Sequence, residues 1–140
     1  MNNSINLSND DDFLVKEYVA RGKGLFNDGE IEKAFKCFNK AILLNSEYSQ
    51  TYLVKAQAHI EIYEVDEAEK CLKKFLMLVP GDPRGYLTLI NINDLTGDFD
   101  TCIYYCKKLL ETQGESVDIY LKKVEFLALL NDFKKANERP

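Results

Sequence analysis

The sequence predicts an all-α fold, a solenoid of short antiparallel helix–turn–helix units, and three observations carry that reading. In "FNDGEIEKAFKCFNKAILLN", residues 26–45, the apolar residues Ile31, Ala34, Phe35, Phe38, Ala41 and Ile42 recur at three and four, which is one face of a helix. The chain also repeats itself. A shift of 34 residues superposes Tyr18, Tyr52, Tyr86 and Tyr120 without a gap, and with them Ile31, Val65, Phe99 and Phe133, then Ala34, Ala68, Cys102 and Ala136. Turn signals keep the same period: "NDGE" at 27, "YEVD" at 63, "TGDF" at 96 and "NDFK" at 131 fall inside units, while "NSEYS" at 45, "PGDP" at 80 and "QGES" at 113 separate them.

Each unit therefore holds two short helices. The pattern places them near 12–27 and 31–44, 48–62 and 65–78, 82–96 and 99–112, then 117–130 with a stub from 133. Asp82 followed by Pro83 is a helix start, an N-cap with proline at the first helical position. Neither helix of a pair can bury its apolar stripe alone, and stacking against neighbours lets the helices stay short. Residues 1–11, polar and acidic, read as a flexible leader, and 12–140 as the repeat domain.

This pattern resembles the tetratricopeptide repeat family, over Val15 to about Ala136. The first unit, near 15–48, matches the family's residue types at Tyr18, Gly22, Gly29, Ala34, Phe38 and Ala41. The second, near 49–82, matches at Tyr52, Ala56, Ala68 and Pro80. The third, near 83–116, keeps Tyr86, Gly97 and Phe99 but sets Ile90 and Cys102 where the family prefers small residues. The fourth, 117–140, is incomplete: it has Tyr120 and Ala136, with Val124 in the small column. The resemblance implies a right-handed superhelix of about three and a half units. Gly22 with Ala34, and Ala56 with Ala68, should mark the closest helix approaches, and Ile90 with Cys102 a wider hairpin.

The resemblance also implies a site. First helices of such units line a concave groove, and the residue after each tyrosine is expected to point into it: Val19, Leu53, Leu87 and Leu121. Nearby groove places hold Lys23, Phe26, Val54, Gln57, Ile60, Thr88, Asn91, Leu95 and Lys122. An apolar surface with polar edges suits an amphipathic helix or an extended apolar peptide, so the expected partner is a protein or peptide. Some family members hold a C-terminal carboxylate instead. The corresponding places here are Val19, Lys23, Val54, Arg84 and Thr88, and apolar side chains cannot donate to a carboxylate. Charge is graded along the groove, with Lys16 and Lys23 at one end and Asp118 and Glu125 at the other.

Other chemistry finds little support. A net charge of −5 argues against nucleic acid, and no apolar run reaches the roughly 18 residues of a membrane span. Cys37, Cys71, Cys102 and Cys106 all lie in amphipathic helical patterns without an export signal, which fits reduced thiols in a cytoplasmic protein. Cys102 and Cys106 share a helix face, but nothing completes a metal set, and they read as small apolar residues. His59, the single histidine, has no nucleophile beside it and reads as a packing residue. No phosphate loop, cofactor motif or active-site constellation is written, so the expected function is non-enzymatic binding. A structural or oligomerisation scaffold is the alternative. The stub from Phe133 is too short to cover Tyr120, Val124, Leu127 and Leu130, so the sequence reads as a piece of a longer repeat protein, or as one that self-associates through this end.

Overall fold

The computed structural model describes the backbone of residues 3–138 and the side chains of residues 12–138. Seven α-helices, and no strand among the described residues, make the fold. They are α1 (Asn3–Asn27), α2 (Ile31–Leu44), α3 (Ser49–Glu61), α4 (Val65–Leu78), α5 (Pro83–Thr96), α6 (Phe99–Gln113) and α7 (Val117–Glu138). None is long and apolar enough to cross a membrane.

Five helices keep the expected bounds to within a residue, and the two outermost do not. α1 starts at Asn3, so the segment read as a leader has helical backbone. No proline or glycine precedes Gly22 there, and adding residues to a formed helix is far easier than starting one. At the other end, the turn expected at residue 131 is absent, and α7 runs uninterrupted to Glu138.

The turns bear on that second difference. Three of the four equivalent positions adopt left-handed backbone: Gly29 at φ +85°, Tyr63 at +61° and Gly97 at +77°. In each, the next residue's N–H reaches back across the helix end: Glu30 to Leu25 O at 2.9 Å, Glu64 to His59 O at 2.8 Å, Asp98 to Asn93 O at 2.8 Å. This is the six-to-one bond of a Schellman motif, which stops a helix while satisfying its last carbonyls. Position 131 is Asn131, which adopts left-handed backbone more readily than Tyr63 does, so the residue type there does not by itself forbid the turn. The continuous helix keeps the backbone hydrogen bonds that a turn there would give up.

The helices group into two compact units, Met1–Leu78 and Val79–Pro140. In the first, α1 pairs with α2 and α3 with α4, while α3 also packs on α1 and α2. Val15, Val19, Ala34, Phe38, Ala41, Val54 and Ala58 form its buried cluster. The expected close approach is present at Gly22, where a Cβ would stand 2.5 Å from Phe38 Cε1 and 3.1 Å from Ala34 O. Glycine is needed there for space, not for backbone angle.

The second unit is one hairpin, α5 with α6, and α7 laid on α6. Its cluster comprises Ile90, Cys102, Ile103, Cys106, Leu109 and Phe126. Asp82 caps α5 by accepting the Arg84 N–H at 2.9 Å, as the Asp-Pro start implies. Ile90 does not hold Cys102 off α5: the thiol donates to Ile90 O at 3.4 Å. The wide hairpin expected from these two side chains is thus bridged by a sulfur contact.

Candidate interaction site between α1 and α3

Within the first unit, α1 and α3 are the first helices of successive repeats, and they touch. Between them lies a shallow depression of ≈ 80 Å³. Phe38, Val54 and Ala58 give it an apolar base, with half-buried Phe26 beside them. Lys23, Asn27, Gln57 and Glu61, all exposed, line it too. The result is a small apolar hollow edged by one cation, one anion and two amides.

Aromatic packing stiffens the region under the hollow. Phe35 meets Phe26 edge-on at 6.3 Å and Phe38 at 5.8 Å, while the His59 ring lies over Phe35 at 4.4 Å. His59 Nδ1 is 2.9 Å from Glu64 Oε1 at the end of the following turn, just before α4. The histidine thus ties α2, α3 and that turn together.

Four of the residues expected to line a groove come together here: Lys23, Phe26, Val54 and Gln57. The aliphatic column does not behave as one set. Val19 and Leu53 are only 6% and 2% exposed and belong to the packed interior, whereas Leu121 is 58% exposed and Leu87 is half-buried against the second cluster. The expectation that Val19 and Leu53 face a groove is therefore corrected. A helix turns about 100° per residue, so the place after the tyrosine sits at the border of the core stripe, and close packing of α1 with α2 and α3 closes it.

The remaining expected residues lie elsewhere. Ile60 is half-buried on α3, and Asn91 and Leu95 are exposed on α5. Thr88 is buried, with its hydroxyl donating to Arg84 O at 2.7 Å. Lys122 is half-buried on α7. Sequence reasoning missed Asn27, Phe38, Ala58 and Glu61. The repeat held a signal for two of them, since Asn27 and Glu61 are 34 apart, as are Lys23 and Gln57. Matching columns from adjacent first helices should face the same hollow.

The places corresponding to a carboxylate-holding site are occupied otherwise. Val19 and Val54 are buried apolar residues, and the Thr88 hydroxyl is committed to its own helix. Arg84 is held by Asp82, with Nη2 to Oδ2 at 3.0 Å and Nε to Oδ1 at 3.2 Å. The Arg84 hydrogen bond holds the Asp82 carboxyl below its ordinary range. Three of the thiols, Cys71, Cys102 and Cys106, are buried as well. Burial pushes Cys102 up to about 12 and raises Cys71 and Cys106, so none is poised as a nucleophile. No group of three or more histidine, cysteine or carboxylate side chains among the described residues could hold a metal.

Known proteins share this architecture. The tetratricopeptide repeat model matches residues 18–48, which run from the first tyrosine through α2. The second tetratricopeptide domain of human RPAP3, solved in complex with an HSP70 peptide, superposes with a TM-score of 0.70 at 16% identity, covering 83% of this chain and 97% of that one. The Sgt2 tetratricopeptide domain of Aspergillus fumigatus superposes at 0.74 with 13% identity, covering 90% and 85%. The chain folds as a tetratricopeptide-repeat domain. By sequence, the chain is similar to an uncharacterized protein of Methanocaldococcus jannaschii, 39% identical over 54 residues, which make up 39% of this chain and 63% of that protein. The α1–α3 hollow thus lies between the first helices of two successive tetratricopeptide units.

Proposed function

We propose that this tetratricopeptide domain is a non-enzymatic protein-interaction module that holds a peptide or an amphipathic helix against α1 and α3. The observation that carries the reading is the hollow's chemistry: an apolar base of Phe38, Val54 and Ala58 beneath Lys23, Gln57 and Glu61. One apolar side chain of a ligand fits such a base, and the edge groups fix its backbone and charge. The peptide complex of the RPAP3 domain of like fold supports this class of ligand. Apolar Val19 and Val54 argue against a bare terminal carboxylate as the anchor. Four free cysteines suit a reducing compartment, and we place the domain in the cytoplasm.

The reading is tested by affinity capture with quantitative mass spectrometry, comparing wild type with Lys23→Glu and Gln57→Lys. Both positions are exposed, so both variants should melt like wild type while losing the captured protein. Unchanged capture by both would remove the hollow as the binding site. A scaffold role is the second reading, favoured by the exposed apolar residues of α7. A light-scattering mass above the monomer, with no partner sensitive to Lys23, would select it.

A further inference from the structure

α7 uses one face to join its unit. Phe126 is buried there, with Ile119 and Leu130 half-buried against the same cluster. Successive helical residues are about 100° apart, so Leu121 and Val124 point away from that face. They are 58% and 61% exposed. Val117, Tyr120 and Leu127 extend the outward apolar strip over about three turns. Along the Leu121 edge stand Asp118, Glu125 and Asp132, one every seven residues. All three are exposed and form no ion pair among the described residues.

We propose that this strip is a second docking surface and that its occupant is a basic amphipathic helix. The partner's apolar stripe lies on Leu121 and Val124, and its row of lysines or arginines meets Asp118, Glu125 and Asp132. The seven-residue spacing decides the occupant's form, because a helix laid along α7 presents its own flanking residues at that interval. The charge decides its sign. A second copy of the same face is a poor occupant. Antiparallel pairing sets the carboxylate row against itself, and parallel pairing sets it against Tyr120 and Leu127, where the charges lose water without gaining a partner. This surface is independent of the α1–α3 hollow, and either can fail without the other.

The test uses two fluorescent synthetic peptides of two heptads each, leucine at the seam positions and lysine or glutamate at the rest, titrated with the full chain. The lysine peptide should bind and the glutamate peptide should not. Leu121→Asp or Val124→Asp should weaken the lysine peptide by about thirtyfold, as loss of a central apolar contact does. The triple variant Asp118→Lys, Glu125→Lys, Asp132→Lys should weaken it by about tenfold and bind the glutamate peptide instead. That exchange of preference excludes unfolding as the cause, since a collapsed surface gains no ligand. Lysine-peptide binding unmoved by Leu121→Asp would overturn the proposal as adhesion to a net-acidic protein. So would no binding of either peptide, or a wild-type dimer by light scattering that Leu121→Asp converts to monomer.

Discussion

The two units treat the same repeat columns differently. In the first, Tyr52 is buried and its hydroxyl donates to Ser46 O at 2.8 Å. In the second, Tyr86 lies against Tyr105 of α6 with ring centres 5.8 Å apart, but Tyr120 is exposed, with no helix after α7 among the described residues. Nothing in the four tyrosines themselves distinguishes them. A repeat sequence writes the half of each contact that its own helix supplies, and burial follows only where the facing helix forms.

The sharpest way to break that comparison is along the aliphatic column. Leu53→Asp places an unpaired carboxylate in a packed interior and should cost at least about 4 kcal/mol, enough to unfold the first unit. Leu121→Asp, four-sevenths exposed in the same column, should cost no more than about 0.5 kcal/mol. Denaturant melts of the pair give the answer, and equal losses would mean that α7 is covered in solution.

Next in size are the small columns. Ala68 and Cys102 are both fully buried at equivalent places. Replacing either by leucine should overpack its hairpin by about 1–3 kcal/mol. A clearly cheaper Cys102→Leu in the same melts would show that the third hairpin retains slack despite the Cys102–Ile90 contact.

A smaller pair of effects should have opposite signs. Tyr63 occupies the left-handed turn position that glycine fills in two other turns, so Tyr63→Gly should stabilise by about 1 kcal/mol. Asn131 stands in the same column inside α7, and Asn131→Gly should destabilise by a few tenths of a kcal/mol up to about 1. Two losses in thermal melts would mean that the Tyr63 side chain offsets its backbone strain.

The smallest effect is in the thiols and appears first as a rate. Native labelling with an aromatic disulfide should modify half-buried Cys37 well before Cys71, Cys102 or Cys106. Cys102, pushed up to about 12 by burial, stays protonated in the fold where an unfolded thiol ionises near about 8.5. Its contribution to stability is therefore full below that pH and is lost as pH rises towards 12. Melts across that alkaline range, wild type beside Cys102→Ala, should converge at the top.

Much of the fold was legible because periodicity and turn chemistry agree from α2 to α6. Ile31, Val65, Phe99 and the left-handed positions between helices mark starts and stops without reference to tertiary contacts. α7 was misread for a physical reason. Its apolar and turn-compatible residues continue the period, but ending a helix at Asn131 requires something for the next segment to pack on. The site was legible in part. Lys23 and Gln57 follow from the repeat, whereas the burial of Val19 and Leu53 depends on how closely α1, α2 and α3 pack, and helical spacing alone does not fix that distance.

In both units, helices touch only those one or two places along the chain. Forming such contacts closes only short loops, so little chain entropy is lost before each is rewarded. Folding should then be fast, in the microsecond-to-millisecond regime of helical proteins with local contacts. Among the described residues of its own unit, α7 packs on α6 alone. Its amides should exchange with solvent through openings smaller than global unfolding, while those around Phe38 wait for the whole first unit to come apart.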